Sequence, residues 1–411
     1  MKSRTSILSV LTVCLALPFS VGFAAAPKYV ANFLGNDGGD FAVGFSVLNT
    51  NGYVGGEGAL PNSSAVHALE WRDSSAIDLG TLGGPSSGLF GTMSGTSDTA
   101  KQDPLGQKFC GDPQICLAFQ LNGLTLVKLP TLGGYNAAAF SNNTKNQIVG
   151  IAQGPGRDPT CMSGSTITQD IYPVIWQNGQ ITTTIPFLPG DVDAQANSIN
   201  DAGQVVGSSG DCSDIDIHSW IWKNSQVTDL GSLGGVDYTF AASINNYAQV
   251  TGGSDLAGDE YTHAFLWQNG VMTDLGTLPG DVYSEGYWIN NVGQIVGQSC
   301  DEFYNCRAFL WQNNKMYDLN KLITNDAQVD FYFARFITDI GDITGEAYNY
   351  ATDTDGAFLA IASSGSTADD KVEANAEAGA RVNLPERVRM RHQQHLLNRG
   401  KLFGGRLSLA R

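Results

Sequence analysis

Carboxylates are the side chains in this 411-residue sequence with the most evident chemical use. The chain has 40 aspartate and glutamate residues against 23 lysine and arginine residues. Clustered carboxylates with loop carbonyls bind calcium, and they also attract cationic ligands; a plain solvated surface is the alternative. Nucleic acid is disfavoured because acidic loops repel phosphates. The candidate ligand-binding residues are Asp191, Asp193, Asp237, Asp281, Glu285 and Asp301, with Asp191, Asp237 and Asp281 as candidate calcium ligands.

Three histidines occupy equivalent positions. His67, His218 and His263 each begin a short apolar segment such as "HAFLW". Three histidines are a common zinc-ligand set, but these three belong to separate repeat units, so we expect them at loop edges rather than around one metal. The sequence has no G-x-S-x-G nucleophile motif, and its Gly-Gly pairs lack the lysine of a phosphate loop. It therefore predicts no catalytic residue.

These candidate residues lie in a phrase that the chain repeats, as in "HAFLWQNGVMTDLGTLPGD" at 263–281. The repeat step is 44–56 residues, which predicts seven units of four strands each. That period and the high glycine content, 49 residues, favour an all-β, seven-bladed propeller. The tryptophan position of the repeat is filled by Trp71, Trp176, Trp222, Trp267 and Trp311, and by Gln120 and Ala360 in two weaker copies.

Each unit predicts strands a to d, represented by "SINN", "GQVVG", "HAFLW" and "VMTDLG". An Asn-Gly dipeptide or a near equivalent joins c to d, and it is a strong hairpin signal because both residues tolerate positive φ. We expect the small residues of strand a to line the axis and the tryptophans to pack between blades rather than form an exposed sugar-binding belt. Residues 82–98 are about six residues shorter than their counterpart, so the second blade is expected to have a stunted a–b hairpin, and six blades are an alternative.

The two ends of the array complement each other. The last copy stops after strand c, at 355–363, whereas residues 28–40 match strand d and its turn. The N-terminal strand is therefore predicted to complete the last blade and close the ring, which leaves only short strand edges exposed.

The motifs "HAFLW-NG---DLGTLGG" and "SINN-GQVVG" resemble the extracellular repeat family named HAF, after its His-Ala-Phe tripeptide. The similarity covers roughly residues 28–363, although the tripeptide is intact only at 263–265. The resemblance implies a bacterial secreted or surface propeller. It implies no catalytic residues, because the family carries no assigned chemistry.

The composition changes along the chain. Residues 1–24 combine a basic start, an apolar core and small residues, which predicts a cleaved signal peptide and an exported protein. Residues 25–363 contain 12 basic and 35 acidic residues, a net charge of −23, whereas residues 364–411 carry +4. The domains are therefore a signal peptide at 1–24, a propeller at 28–363, and a linker with a basic tail at 364–411. The tail is predicted either to be disordered or to form a short amphipathic helix that docks on an acidic face or an anionic cell surface.

Six cysteines remain after the signal peptide, an even number that suits an oxidising compartment. Five residues separate Cys110 from Cys116, and five separate Cys300 from Cys306. Each pair lies in a b–c loop, so a hairpin can bring its ends together. The spacing predicts these two local disulfides. The remaining pair is predicted to be an interblade disulfide, Cys161–Cys212.

The sequence thus predicts an exported, disulfide-bonded propeller that acts as a binding module through an acidic loop face, with calcium as a possible cofactor. Its expected partners are an extracellular protein, a glycan or a cell surface, with no nucleic acid and no transmembrane span. The alternative is a propeller-type lyase or hydrolase that acts on a surface polysaccharide or similar polymer. An enzyme requires a convergent acid–base pair with perturbed pKa values.

Overall fold

The structure is a computed structural model that describes residues 27–36, 38–161, 168–210, 217–325, 328–363 and 383–398. Seven four-stranded antiparallel sheets form the blades of a β-propeller. The predicted fold class and blade number are therefore confirmed, and the six-bladed alternative is excluded. No helix in the described part of the chain is long and apolar enough to cross a membrane.

The first three blades follow one another along the chain. Blade 1 contains β2 (Ala42–Val47), β3 (Val54–Ala59), β4 (Val66–Arg72) and β5 (Ser75–Asp78). Blade 2 contains β6 (Gly83–Leu89), β7 (Ser94–Gln102), β8 (Gln114–Asn122) and β9 (Thr125–Lys128). Blade 3 contains β10 (Ala137–Asn142), β11 (Gln147–Arg157), β12 (Gln169–Gln177) and β13 (Gln180–Thr184). The expected stunted a–b hairpin of blade 2 is not seen, since β6 has seven residues, as many as β14 and β22, and the blade keeps all four strands.

The next blades continue the pattern. Blade 4 contains β14 (Asp193–Ile199), β15 (Val205–Gly210), β16 (His218–Lys223) and β17 (Gln226–Asp229). Blade 5 contains β18 (Gly234–Ile244), β19 (Val250–Leu256), β20 (Thr262–Gln268) and β21 (Val271–Asp274). Blade 6 contains β22 (Tyr283–Ile289), β23 (Ile295–Cys300), β24 (Cys306–Gln312) and β25 (Lys315–Asp318). Blade 7 contains β26 (Val329–Ile337), β27 (Ile343–Asn349), β28 (Thr354–Ala362) and, from the N-terminus, β1 (Tyr29–Gly35).

Ring closure occurs as the sequence predicts. Strand β1 pairs with β28 in an antiparallel register that matches Tyr29 with Ala362 and Phe33 with Phe358. The first strands of successive blades contact one another around the axis, so strand a is innermost. The fourth strand of each blade is therefore outermost.

Hydrophobic clusters fill the spaces between blades, since both faces of each inner strand meet a neighbouring blade. Trp71, Trp176 and Trp311 are buried in these clusters. Trp222 and Trp267 are half-buried against them. The predicted packing role is confirmed for all five tryptophans, and it leaves no exposed belt for stacking sugars.

The repeated asparagine of "SINN" links blades on the face that carries the a–b turns. The Nδ2 of Asn245 donates to the backbone oxygen of Asn290, at 2.9 Å, in the next blade. Asn143, Asn200 and Asn290 make the same contact to their own neighbours, at 2.8–3.0 Å. The sequence indicates a turn here; in the folded ring the turn also joins adjacent blades.

Two of the predicted disulfides are present, Cys110–Cys116 and Cys300–Cys306. Cys161 is also disulfide-bonded. Its predicted partner, Cys212, lies outside the described residues, so the pairing Cys161–Cys212 stays a prediction. The predicted signal peptide lies outside them as well. The described part of the tail, 383–398, contains the helix α1 (Glu386–Asn398), which packs on the propeller.

Candidate functional site on the acidic face

The d–a and b–c loops emerge on one face of the ring, which we call the acidic face. Helix α1 covers the part of this face that lies over blades 6 and 7. Leu384 and Val388, at the start of the helix, are buried against the Cys300–Cys306 disulfide and the aromatic side chains of β26. Residues 383–398 of the tail therefore form part of the structure of this face.

Arginines hold the helix in place. The Arg391 Nη1 donates to Glu346 Oε1 at 2.9 Å, and its Nη2 donates to Asp355 Oδ2 at 2.6 Å. The same guanidinium lies 5.4 Å from the centre of the Phe41 ring. Burial raises the pKa of Asp355 to about 6, and Arg391 opposes that rise. One arginine thus bridges two buried carboxylates beside an aromatic ring.

A second arginine extends the contact outwards. The Arg387 Nη2 donates to the Tyr348 hydroxyl at 3.2 Å and to the backbone oxygen of Asp353 at 2.9 Å. The Arg389 side chain, in contrast, donates to the Leu384 carbonyl, within the tail itself. Two of the three arginines in the first half of the helix therefore point into the face.

The acids that the sequence singles out are mostly engaged within the fold. Asp281 accepts from the Arg307 Nη2 at 2.7 Å and from the Ser299 hydroxyl at 2.8 Å. Asp301 accepts from the backbone N–H groups of Phe303 and Asn305, both at 2.9 Å, and thereby shapes the loop between the two cysteines. Asp281 and Asp301 therefore serve to hold the loops of the fold in place.

Two more predicted acids differ sharply in burial. Glu285 is buried and accepts from the hydroxyls of Tyr238, at 3.3 Å, and Tyr287. Asp237 is exposed, and its backbone N–H donates to Asp259. Glu285 lies on the innermost strand β22 and interacts electrostatically with Arg335 on β26.

The three candidate calcium ligands lie at successive blades, and the structure does not bring them together. Asp191 contacts Ser209 and His218, Asp281 contacts Arg307, and Asp237 is at the surface. In the described part of the chain, one group of three potential ligands has atoms within 4.8 Å of one another: Asp98, Cys110 and Cys116. Because those cysteines form a disulfide, they offer no thiolate to a metal.

The histidines have a local partner that the sequence did not reveal. The His263 Nδ1 lies 2.9 Å from Asp274 on the adjacent strand, and His67 lies 2.9 Å from Asp78 in the same way. His218 lies 3.3 Å from Asp191 instead. In blades 1 and 5 the repeated His and Asp therefore form a cross-strand pair within the blade, whereas His218 pairs with a carboxylate of the preceding d–a loop.

A pair of carboxyl groups is buried between blades 3 and 4. Asp158 and Asp193 are each 1% exposed. Burial and the hydrogen bond to Asp158 raise the pKa of Asp193 to about 9, while Asp193 also accepts the Ile171 N–H at 2.8 Å. Burial opposes ionisation of Asp158, but hydrogen bonds from Asp193 and Thr160 outweigh it and lower the pKa of Asp158. One member of the pair is thus a proton donor and the other an acceptor at neutral pH.

Arg335, a buried arginine on β26, lies at the axis between blades 6, 7 and 1. Its guanidinium lies 3.9 Å from the ring centre of Phe333, 4.7 Å from that of Tyr287 and 5.1 Å from that of Phe45. Burial lowers the pKa of Arg335 to about 10, against the attraction of Tyr287 and of Glu346, Glu57 and Glu285. This arginine is the central positive charge among three buried glutamates.

Comparison with known proteins bears on the fold alone. No family model matches the chain, and no curated protein matches it. Among solved structures, it is similar to an acylaminoacyl peptidase from Pyrococcus horikoshii, at 10% identity and a TM-score of 0.47, over 79% of this chain and 52% of that one. A puromycin hydrolase matches at 11% identity and a TM-score of 0.45, over 81% and 56%. A gluconolactonase from Xanthomonas campestris matches at 8% identity and a TM-score of 0.40, over 82% and 96%. The chain spans about half the length of the peptidases that it matches.

Proposed function

We propose that this protein is an exported binding module whose acidic face recognises arginine-bearing segments of extracellular proteins. The observation that carries the proposal is the way the face holds Arg391. Two carboxylates, Glu346 and Asp355, accept from one guanidinium, which also lies beside the Phe41 ring. Charge-assisted, forked contacts of this kind select arginine over lysine.

The chain's own tail serves as the first occupant of this surface. Helix α1 has 13 residues, and an isolated helix of that length is marginal in water. Its order therefore depends on the burial of Leu384 and Val388 and on its arginines. A partner that presents the same groups competes with the tail for the same carboxylates.

The test uses the full-length chain and a synthetic peptide of residues 383–398 as the probe. The double substitution Arg387→Ala and Arg391→Ala weakens the attached helix and leaves the face intact. We expect calorimetry to show at least tenfold tighter binding of the peptide to this variant than to the wild type. Arg389→Ala is the matched control, because Arg389 makes its contact within the tail. If the released face does not bind the peptide, or if Glu346→Gln does not weaken binding, the proposal is wrong.

Hydrolysis of a surface polymer is the second candidate, and the Asp158–Asp193 pair favours it. A carboxyl group whose pKa is raised and a second whose pKa is lowered are suited to the acid and base roles of hydrolysis. The test is turnover of a panel of extracellular polysaccharides. We expect both Asp158→Asn and Asp193→Asn to abolish any turnover that the wild type shows. Turnover that survives both substitutions, or its absence on every polymer, rejects this candidate.

A further inference from the structure

A cleft between blades 1 and 2 lies apart from the tail and from the acids that the sequence singles out. Its enclosed volume is about 40 Å³. Val66, at the start of β4, and Cys110, in the b–c loop of blade 2, lie at the end of the cleft nearest the acidic face. The Cys110–Cys116 disulfide closes the adjoining loop. The cleft is lined by Glu57, Val66, Ser86, Ser87, Gly88, Phe90, Thr96, Ser97, Asp98 and Cys110.

The polar groups in the cleft are deeply buried. Glu57 is 5% exposed, and Asp98 is fully buried. The hydroxyl of Thr96, which is 3% exposed, lacks a hydrogen-bond partner among the described residues. A buried hydroxyl without a partner costs free energy, so its position in the lining indicates that an occupant of the cleft supplies the missing contact.

The lining favours positive charge. It contains two carboxylates and several hydroxyls, and no lysine, arginine or histidine is among its described residues. Arg335 interacts electrostatically with Glu57 and also with Glu285 and Glu346. Carboxylates in a low-dielectric site bind cations more strongly than the same groups do in water.

An organic cation fits the cleft better than a metal ion does. The metal-sized cluster that includes Asp98 is completed by two disulfide-bonded cysteines and cannot supply thiolate ligands. The cleft also contains the Phe90 ring, which packs edge-on against Phe45 at 5.2 Å and is thereby held in place. An aromatic face beside carboxylates is a common environment for ammonium and guanidinium groups.

We propose that this cleft binds an ammonium or guanidinium group, carried either by a small molecule or by a side chain that projects from a peptide. Glu57 and Asp98 provide the opposite charge, the Thr96 hydroxyl provides a hydrogen bond, and Phe90 covers one side. The site is independent of the tail-docking surface, since the two share no residue. Either proposal can therefore fail while the other holds.

The experiment uses the full-length protein and four probes: methylguanidinium, its neutral analogue N-methylurea, calcium chloride, and the end-capped tripeptide Gly-Arg-Gly. We expect methylguanidinium or the tripeptide to bind with one-to-one stoichiometry and to raise the melting temperature, whereas N-methylurea does neither. Binding of the tripeptide identifies a peptide side chain as the source, and binding of methylguanidinium alone identifies a small molecule. Binding of neither cation overturns the proposal.

Variants locate the binding. Glu57→Gln and Asp98→Asn should each weaken it at least tenfold, and Thr96→Val should weaken it about threefold. Asp237→Asn is the control, because that exposed carboxylate lies on blade 5. Unchanged affinity in both carboxylate variants overturns the proposal, and so does calcium binding that Asp98→Asn abolishes. If a variant does not fold, the wild-type comparison of methylguanidinium with N-methylurea still decides.

Discussion

Replacing Asp193 with asparagine should make the protein less sensitive to alkaline pH. In the folded state Asp193 keeps its proton up to about pH 9, whereas its ordinary pKa is 3.8. Between those two values the folded chain binds one more proton at this position than the unfolded chain does. Its contribution to stability is therefore complete below pH 3.8 and is lost as the pH rises towards 9.

The size of the effect follows from the shift. One pH unit within the window changes the free energy of unfolding by about 1.4 kcal/mol for one proton. From pH 5 to pH 8 the wild type should lose at most about 4 kcal/mol through this group. An asparagine is neutral throughout, and it keeps the acceptor for the Ile171 N–H and a donor for Asp158. Between pH 5 and pH 8 the stability of the variant, relative to that of the wild type, should therefore rise by up to about 4 kcal/mol.

Urea denaturation at pH 5, 6, 7 and 8 measures the difference. Asp237→Asn serves as the control, because it makes the same change of side chain at an exposed position on another blade. Parallel stability curves for the wild type and Asp193→Asn, over the whole range, would show that Asp193 is ionised in the folded protein and refute the reasoning.

Three further changes test other parts of the structure. Asn245→Ala removes the hydrogen bond to the next blade and leaves two backbone N–H groups without their acceptor. The free energy of unfolding, measured in urea, should therefore fall by about 2–4 kcal/mol, and a loss below about 0.5 kcal/mol would contradict a role in linking the blades. His263→Ala should cost less than about 1 kcal/mol, because its partner Asp274 is partly exposed, and a larger loss by the same measurement would refute the cross-strand reading. The double substitution Cys300→Ser and Cys306→Ser should lower the free energy of unfolding by about 2 kcal/mol, given a separation of six residues. It should also increase hydrogen exchange in α1, which packs on this disulfide. Unchanged exchange would show that the helix docks without the disulfide.

The fold could be predicted because the repeat carries its own evidence. A constant period, Asn-Gly turns and a complementary pair of ends are enough to fix the blade number and the closure. In the structure, Asn178, Asn224, Asn269 and Asn313 all adopt positive φ in the predicted turns. Local signals of this kind survive in any tertiary context, since they depend on backbone conformation.

The site was harder to predict because it consists of departures from the repeat. Glu57 and Glu346 each follow the glycine that recurs in strand b of the repeat. Blades 4, 5 and 6 have Ser208, Gly253 and Gln298 at the same position. A glutamate in a strand position that is otherwise small or neutral was the available signal. Several of the loop acids that the sequence singles out, such as Asp281, serve the fold instead.

The pairing of β1 with β28 determines when, during synthesis of the chain, blade 7 can be completed. A ribosome makes Tyr29 near the beginning of the propeller and its partner Ala362 near the end. Blades 1 to 6 have all four of their strands as soon as each segment emerges, but β1 of blade 7 must wait for β28, which is made more than 300 residues later. Until β28 has been made and has paired with it, β1 is open to pairing with another chain. Chain termination before β28 should therefore yield a molecule that seeks its missing strand in a neighbour, and high synthesis rates should favour the same exchange between complete chains.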